Sequence, residues 1–208
     1  MTEYYGCYWY PKIENRIPTI KTIVLHTKTL EEAKDKINSN LPQYPFVRLC
    51  NASPKDYTRD GCLYNDYEEV AEALKNSNRT FYMLESDNKH GLHIMMREFA
   101  KIDIECRCFY NDKLRAVSCN YYLEEDERHQ LEELIIDFFD IYSEHIPYKQ
   151  CTLDVSVNIE DNYAFVVEFN SFGVNSQANA ELFNWSEDYH TLYNSEEPEF
   201  KYKKEFEF

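Results

Sequence analysis

Asp154, Glu168 and Asn170 are residues whose types and spacing could bind a cation. They lie in two alternating segments, TLDVSVNI (152–159) and YAFVVEFN (163–170), separated by Glu160, Asp161 and Asn162. Side chains alternate faces along a strand, so Asp154, Ser156 and Asn158 share one face while Leu153, Val155 and Val157 take the other. The same count puts Glu168 and Asn170 on one face. A three-residue turn over 160–162 pairs Ile159 with Tyr163, and counting back sets Asp154 opposite Glu168 and Thr152 opposite Asn170. Two carboxylates with Cβ atoms roughly 5 Å apart repel by about 3 kcal/mol at an effective dielectric of about 20. A cation between them reverses that sign. Two carboxylates and an amide oxygen are hard donors, too few for a calcium cage but suited to Mg²⁺ that keeps waters and shares phosphate ligands. The pattern also admits a half-exposed hairpin whose polar face only meets solvent.

The elements that must position these residues follow from pattern and punctuation. TIKTIVLH (19–26) reads as a strand, and Thr29 with Glu32 forms a capping box opening a helix through about Asn38. QYPFVRLC (43–50) is a second strand with Arg48 inside it, and NASPKD (51–56) a tight loop. DYEEVAEALKNS (66–77) has helical spacing, RTFYMLE (79–85) has strand character, and SDNKHG (86–91) is a polar turn. LHIMMREF (92–99), IECRCFY (104–110) and KLRAVSCNYY (113–122) read as successive antiparallel neighbours, the last two joined at Asn111-Asp112. Leu131, Leu134, Ile135, Phe138, Phe139 and Tyr142 define a helix behind the acidic turn EEDE, ended by Pro147. After the hairpin the chain closes in a polar tail containing EFKYKKEFEF (199–208).

Composition narrows the function. A chain of 208 residues, 43% hydrophobic and 16% aromatic, builds a core as one domain or as two lobes sharing a cleft. Its formal charge of −16 repels phosphates, which argues against nucleic acid or an anionic membrane as partner and requires a local basic cluster for any phosphate ligand. There is no long apolar run and no signal-like start, so a soluble intracellular protein is expected. Seven cysteines without a CxxC pair suit a reducing compartment and read as structural thiols, although Cys106 and Cys108 share a strand face. Asn51, Asn78 and Asn184 begin sequons that are discounted without secretion, and only four glycines rule out a glycine-rich phosphate loop. His90 and His93, in or beside a turn, are unassigned.

FVRLCNASPKD (46–56), MMREF (95–99), ECRCF (105–109), LRAVSCNYY (114–122), LDV (153–155), EFNSFG (168–173) and LFNW (182–185) together resemble, in order, the blocks of the cell division cycle protein 123 family. The resemblance implies an α+β, ATP-grasp-like fold in which two lobes with mainly antiparallel sheets clamp ATP and Mg²⁺, here expected as 1–85 and 86–208. It implies a non-catalytic, cytoplasmic assembly chaperone, monomeric, that binds the gamma subunit of eukaryotic initiation factor two. The alternative is an ATP-grasp ligase that forms an acyl-phosphate from a carboxylate substrate. By position, Asp154, Glu168 and Asn170 become the magnesium ligands, Arg48 takes the place of a phosphate-contacting lysine, and Asn51, Ser53 and Lys55 lie in the loop over the phosphates. Met95 and Arg97 then lie on a strand contacting adenine and ribose, and Arg107 faces the phosphates. Read from the residues alone, Arg48 pairs with a neighbouring acid, Lys55 and Asp56 are solvated loop charges, Glu105 and Arg107 form an ion pair, and Trp185 is a core anchor. The chain departs from the family at Arg48 for lysine, Glu168 for aspartate, Ser171 for proline, Cys119-Asn120 for Gln-Arg, and in its short tail.

Overall fold

Packing divides the computed structural model into two compact units, Tyr5–Tyr10 with Ile20–Ala100 and Pro11–Thr19 with the chain from Lys101 onward. The residues described are 5–42, 45–57, 64–86, 91–176 and 178–204. Most of the expected turn at 86–91, together with His90, Cys62 and the last four residues of the tail, lies outside them. No described helix is long and apolar enough to cross a membrane.

The N-terminal unit holds most of α1 (Gly6–Ile13), then β1 (Thr22–Thr27), α2 (Lys34–Asn40), β2 (Phe46–Leu49), α3 (Tyr67–Asn76), α4 (Asn78–Ser86) and β3 (Leu92–Arg97). Its sheet is antiparallel with order β1-β3-β2, so β3 is paired on both sides, Arg97 opposite Thr22 and Met95 opposite Arg48. Leu92, Ile94 and Met96 join a core with Val47, Ile37, Val70 and Leu74. His93, Met95 and Arg97 fall on the other face by alternation, and there α1, absent from the sequence reading, is packed. Gly6 approaches Met95 so closely that a Cβ would collide with its sulfur, and the Trp9 ring centroid lies 6.0 Å from the Arg97 guanidinium carbon.

Two expectations change in this unit. The segment read as a strand over 79–85 is the helix α4. Asp56 accepts hydrogen bonds from Ser77 Oγ at 2.5 Å and from the Asn78 N–H at 2.9 Å, which caps the helix start. Thr80, Met83 and Leu84 then recur at helical spacing, Thr80 buried and the other two packed against the core. That spacing prevails over the β-propensity of Thr, Phe and Tyr. The Thr29–Glu32 box opens a 3₁₀ turn, Glu31–Ala33, before α2, because the Glu32 carboxylate accepts from the Lys28 N–H and not from Thr29.

The C-terminal unit contains β4 (Ile104–Asn111), β5 (Leu114–Cys119), α5 (Glu125–Tyr142), β6 (Gln150–Asn158), β7 (Tyr163–Asn170), α6 (Tyr189–Asn194) and β8 (Glu199–Tyr202). Its five-stranded sheet has the order β7-β6-β4-β5-β8 and is antiparallel except for β5 with β8. The strand at 92–97 therefore belongs to the other sheet and is no neighbour of β4. The polar tail is corrected too: β8 pairs Phe200 with Val117, Tyr202 hydrogen-bonds Glu132 at 2.9 Å, and Lys201 meets Asp188 at 2.9 Å. α5, opened by a capping box between Glu124 and Glu127, buries Leu131, Ile135, Phe138 and Phe139.

The hairpin register is as expected at the site, with Asp154 opposite Glu168 and Thr152 opposite Asn170. Two irregularities cancel to produce it. Asn158 pairs with Tyr163, so the turn has four residues, with Asn162 at φ 53°. A bulge between Val166 and Glu168 then returns the strand to the register counted from a three-residue turn. On this same face, beside the polar residues, Phe109, with no exposed surface, packs edge-on against Phe183 at 5.5 Å and Trp185 at 5.4 Å. Phe109→Ala should cost about 3–5 kcal/mol, read as a lowered urea midpoint.

Candidate functional site

Strand register alone assembles a polar row across the C-terminal sheet: Glu168 on β7, Asp154 on β6, Arg107 on β4 and Ser118 on β5. Arg107 grips Asp154 with both ends of a fork, Nε to Oδ1 at 2.8 Å and Nη2 to Oδ2 at 3.0 Å. Its remaining nitrogen, Nη1, donates to Asn179 Oδ1 at 2.6 Å, the Asn179 carbonyl at 3.1 Å and Glu181 Oε1 at 3.1 Å. Asn170 Nδ2 donates to Asp154 Oδ2 at 3.1 Å, which leaves the Asn170 carbonyl oxygen as an acceptor. Glu105, Ser118, Asn120, Tyr121 and Glu181 join Arg107 and Asp154 around a cavity of about 190 Å³.

Asp154 is 5% exposed, and its burial raises its pKa above the ordinary carboxylate value. The Arg107 hydrogen bonds and charge pull it back, and the charges of Glu168 and Glu181 push it up again. Arg107 loses hydration, which lowers its pKa, but Asp154 and then Glu181 outweigh that loss and its pKa is raised. Thr152 and Ser156 flank Asp154 on the same face of β6, both fully buried, and neither hydroxyl has a hydrogen-bond partner.

Among the described residues no three His, Cys, Asp or Glu side chains cluster as metal ligands. The donor set is instead two carboxylates, one amide oxygen and two orphaned hydroxyls. The Asp154 carboxylate already accepts three hydrogen bonds of the roughly four its lone pairs allow. Such a set fits Mg²⁺, which takes one or two protein carboxylates and keeps its other positions for water and phosphate. Sequence reasoning expected Arg107 to face phosphates or to pair with Glu105; the structure turns it toward Asp154 across the sheet. It missed Asn179 and Glu181, which are distant in sequence and carry no strand periodicity. Glu181 also sits in the left-handed region at φ 53°.

The other expected contacts lie in the N-terminal unit. Arg48 is half-buried, with Nε donating to the Leu49 carbonyl at 3.1 Å. Asn51 and Ser53 precede the turn that carries the exposed Lys55, and Ser53 is buried. Asp56 is an exposed loop charge that also caps the start of α4. Met95 and Arg97 are 2% and 5% exposed beneath α1, on a strand whose both sides are paired, so neither side chain presents an open adenine-binding surface. Of the basic residues expected near the nucleotide, Arg97 lies against Trp9, and Arg107 is neutralised within its own unit. Trp185 is a core anchor, partly buried against Phe109 and Phe172.

This fold, an α+β unit with a three-stranded sheet and a second with a carboxylate-bearing antiparallel hairpin, is ATP-grasp-like. It is similar to the D-alanine–D-alanine ligase of Bacillus anthracis complexed with ATP, at TM-score 0.51 and 17% identity over 91% of this chain and 61% of that one. The chain belongs to the D123 family, which it matches over residues 14–207. Cdc123 from Schizosaccharomyces pombe superimposes with TM-score 0.79 and 20% identity, covering 98% of this chain and 96% of that one. The putative CDC123-like protein L884 of Acanthamoeba polyphaga mimivirus is 28% identical over 198 residues, 86% of this chain and 61% of that relative. The chain thus spans less than two thirds of the length of that viral relative.

Removing Arg107 would strand a buried carboxylate. Arg107→Ala should destabilise the protein by about 3–5 kcal/mol, and a paired apolar replacement, Arg107→Met with Asp154→Leu, should recover most of that loss in denaturant titrations. Equal destabilisation by both variants would show that the pair does not act as a unit.

Proposed function

We propose that this chain binds ATP with Mg²⁺ and acts as a non-catalytic, cytoplasmic assembly chaperone for the gamma subunit of eukaryotic initiation factor two, the role that its family implies. The observation that carries the nucleotide reading is the polar row itself: Asp154 and Glu168 are opposed at the bulge, Asn170 is beside them, and two buried hydroxyls lack partners. In this reading Asp154, Glu168 and Asn170 hold the cation, which when bound neutralises the charge of neighbouring phosphates. Arg107 positions Asp154, fixing both carboxylate oxygens so that the group need not reorient when the cation arrives. The longer Glu168 side chain takes the place of the family's aspartate.

Arg48, Asn51, Ser53 and Lys55 are assigned to phosphate contact, where backbone N–H groups and cations balance negative charge. Met95 and Arg97 are assigned a supporting role under α1, since their burial leaves no surface for a ligand. Asp56 fixes the far end of the same loop by capping α4.

Calorimetric titration with Mg·ATP is the direct test. Asp154→Asn with Glu168→Gln should abolish binding while circular dichroism stays unchanged, and undiminished affinity would refute the assignment. Because the Asp154 pKa is raised, protons compete with the cation above the usual carboxylate range. Mg²⁺ affinity should therefore fall as pH is lowered through that raised value, read by calorimetry across a pH series. The stability term has the same origin: relative to the unfolded chain, this group favours the fold at low pH and loses that contribution as pH rises through its folded pKa. For the partner, a purified gamma subunit should be retained by the immobilised chain with Mg·ATP, and failure of retention would overturn the chaperone role.

A further inference from the structure

Two cysteines of the N-terminal unit stand apart from the polar row. Cys7 lies in the first turn of α1, and Cys50 directly follows β2. The residue before Cys7 touches the Cys50 backbone, the Gly6 N–H donating to the Cys50 carbonyl at 3.2 Å, while the Cys50 N–H donates to the His93 carbonyl at 3.0 Å. The Cys7 thiol and its backbone N–H are the groups that act on the Cys50 sulfur most strongly after burial, which puts the two side chains in one neighbourhood. Gly6 brings this about, because only a residue without a Cβ allows α1 to settle so closely on Met95. Cys50 is buried and Cys7 partly exposed, so solvent reaches one member of the pair. Burial, followed by the Cys7 thiol, pushes the Cys50 thiol up, and the charge of Arg48 opposes that shift. A second thiol pair supplies a comparison: Cys106 and Cys119 oppose each other across β4 and β5 and are hydrogen-bonded, yet neither has any exposed surface.

We propose that Cys7 and Cys50 form a peroxide-oxidisable dithiol, a redox modification site that fastens α1 to the start of the 51–57 loop. The Cys7 thiolate attacks one peroxide oxygen, the O–O bond breaks, and the departing hydroxide takes up a proton as water, leaving a sulfenic acid on Cys7. The Cys50 sulfur then attacks the Cys7 sulfur, the S–O bond breaks, and the leaving hydroxide accepts the Cys50 proton as a second water. The dithiol loses two electrons and two protons, and one hydrogen peroxide becomes two waters. Cys7 is the attacking thiol because it is the accessible one, and Cys50 resolves it from the buried side. The disulfide closes a covalent ring across residues 7 to 50 and ties the backbone just ahead of Asn51.

The test uses the full chain exposed to hydrogen peroxide, alkylated, digested without reductant and analysed by mass spectrometry. A Cys7–Cys50 linked peptide should form and disappear on treatment with dithiothreitol, while Cys106 and Cys119 remain thiols that alkylate only after unfolding. Cys7→Ser should leave the Cys50 thiol intact under the same exposure, whereas Cys50→Ser should carry Cys7 on to the sulfinic acid. Amide hydrogen exchange over 51–57 should slow in the oxidised protein and return to its starting rate on reduction. Absence of the linked peptide in chain that is folded by circular dichroism, linkage of Cys106 to Cys119 ahead of it, or unchanged exchange over 51–57 would each overturn the proposal.

Discussion

Burying Asp154 in the middle of a five-stranded sheet is unfavourable unless a cation meets it, and Arg107 on the neighbouring strand does so with two parallel hydrogen bonds. A pair of this kind contributes less to net stability than an apolar replacement could. What it supplies is geometry. The guanidinium also reaches Asn179 and Glu181, so it draws in the segment that carries Phe183 and Trp185 over Phe109. The polar row and the aromatic layer beside it are therefore held by one side chain. Glu168 stands opposite Asp154 on the other flank, adding a second negative charge.

The N-terminal unit solves the opposite problem. One face of its sheet is apolar and packs on α2 and α3, while the other carries Arg97 and Met95. A buried guanidinium needs partners, and Arg97 finds Thr22 Oγ1 at 3.2 Å and the face of Trp9. α1 is thus specified by the residues it covers, with Gly6 setting its distance and Trp9 its lateral position. Tyr10 completes the attachment by accepting the Thr22 N–H on its hydroxyl at 2.9 Å.

Much of the polar row was legible because strand periodicity is strict. Asp154, Glu168, Asn170 and Arg107 could be placed on faces by counting, and the Asp154–Glu168 pairing emerged even though the turn length was misjudged, since the bulge at Val167 cancels the error. The failures share a physical cause. Thr80, Phe81 and Tyr82 favour strands intrinsically, and only the cap supplied by Asp56, some twenty residues earlier, reveals the helix. β8 is short and interrupted by charges, so its pairing with β5 depends on contacts that no local window contains. The same holds for the burial of Met95 and Arg97, which follows from where α1 lies and not from their own strand. Asn179 and Glu181 belong to irregular backbone, where side-chain direction has no period to count.

The bulge in β7 has a consequence beyond register. β7 is the outermost strand on its side of the sheet, and an unpaired strand edge invites another molecule to add a strand to it. Here the Val166 N–H is taken by the Pro18 carbonyl at 2.8 Å and Thr19 bridges to Val166, while the extra residue beside it breaks the regular spacing of donors and acceptors. At the opposite margin β8 alternates Glu199 and Lys201 with its aromatic residues. The features that align Asp154 with Glu168 thus also blunt the sheet against intermolecular strand addition, a protection against aggregation built from the same residue that sets the site.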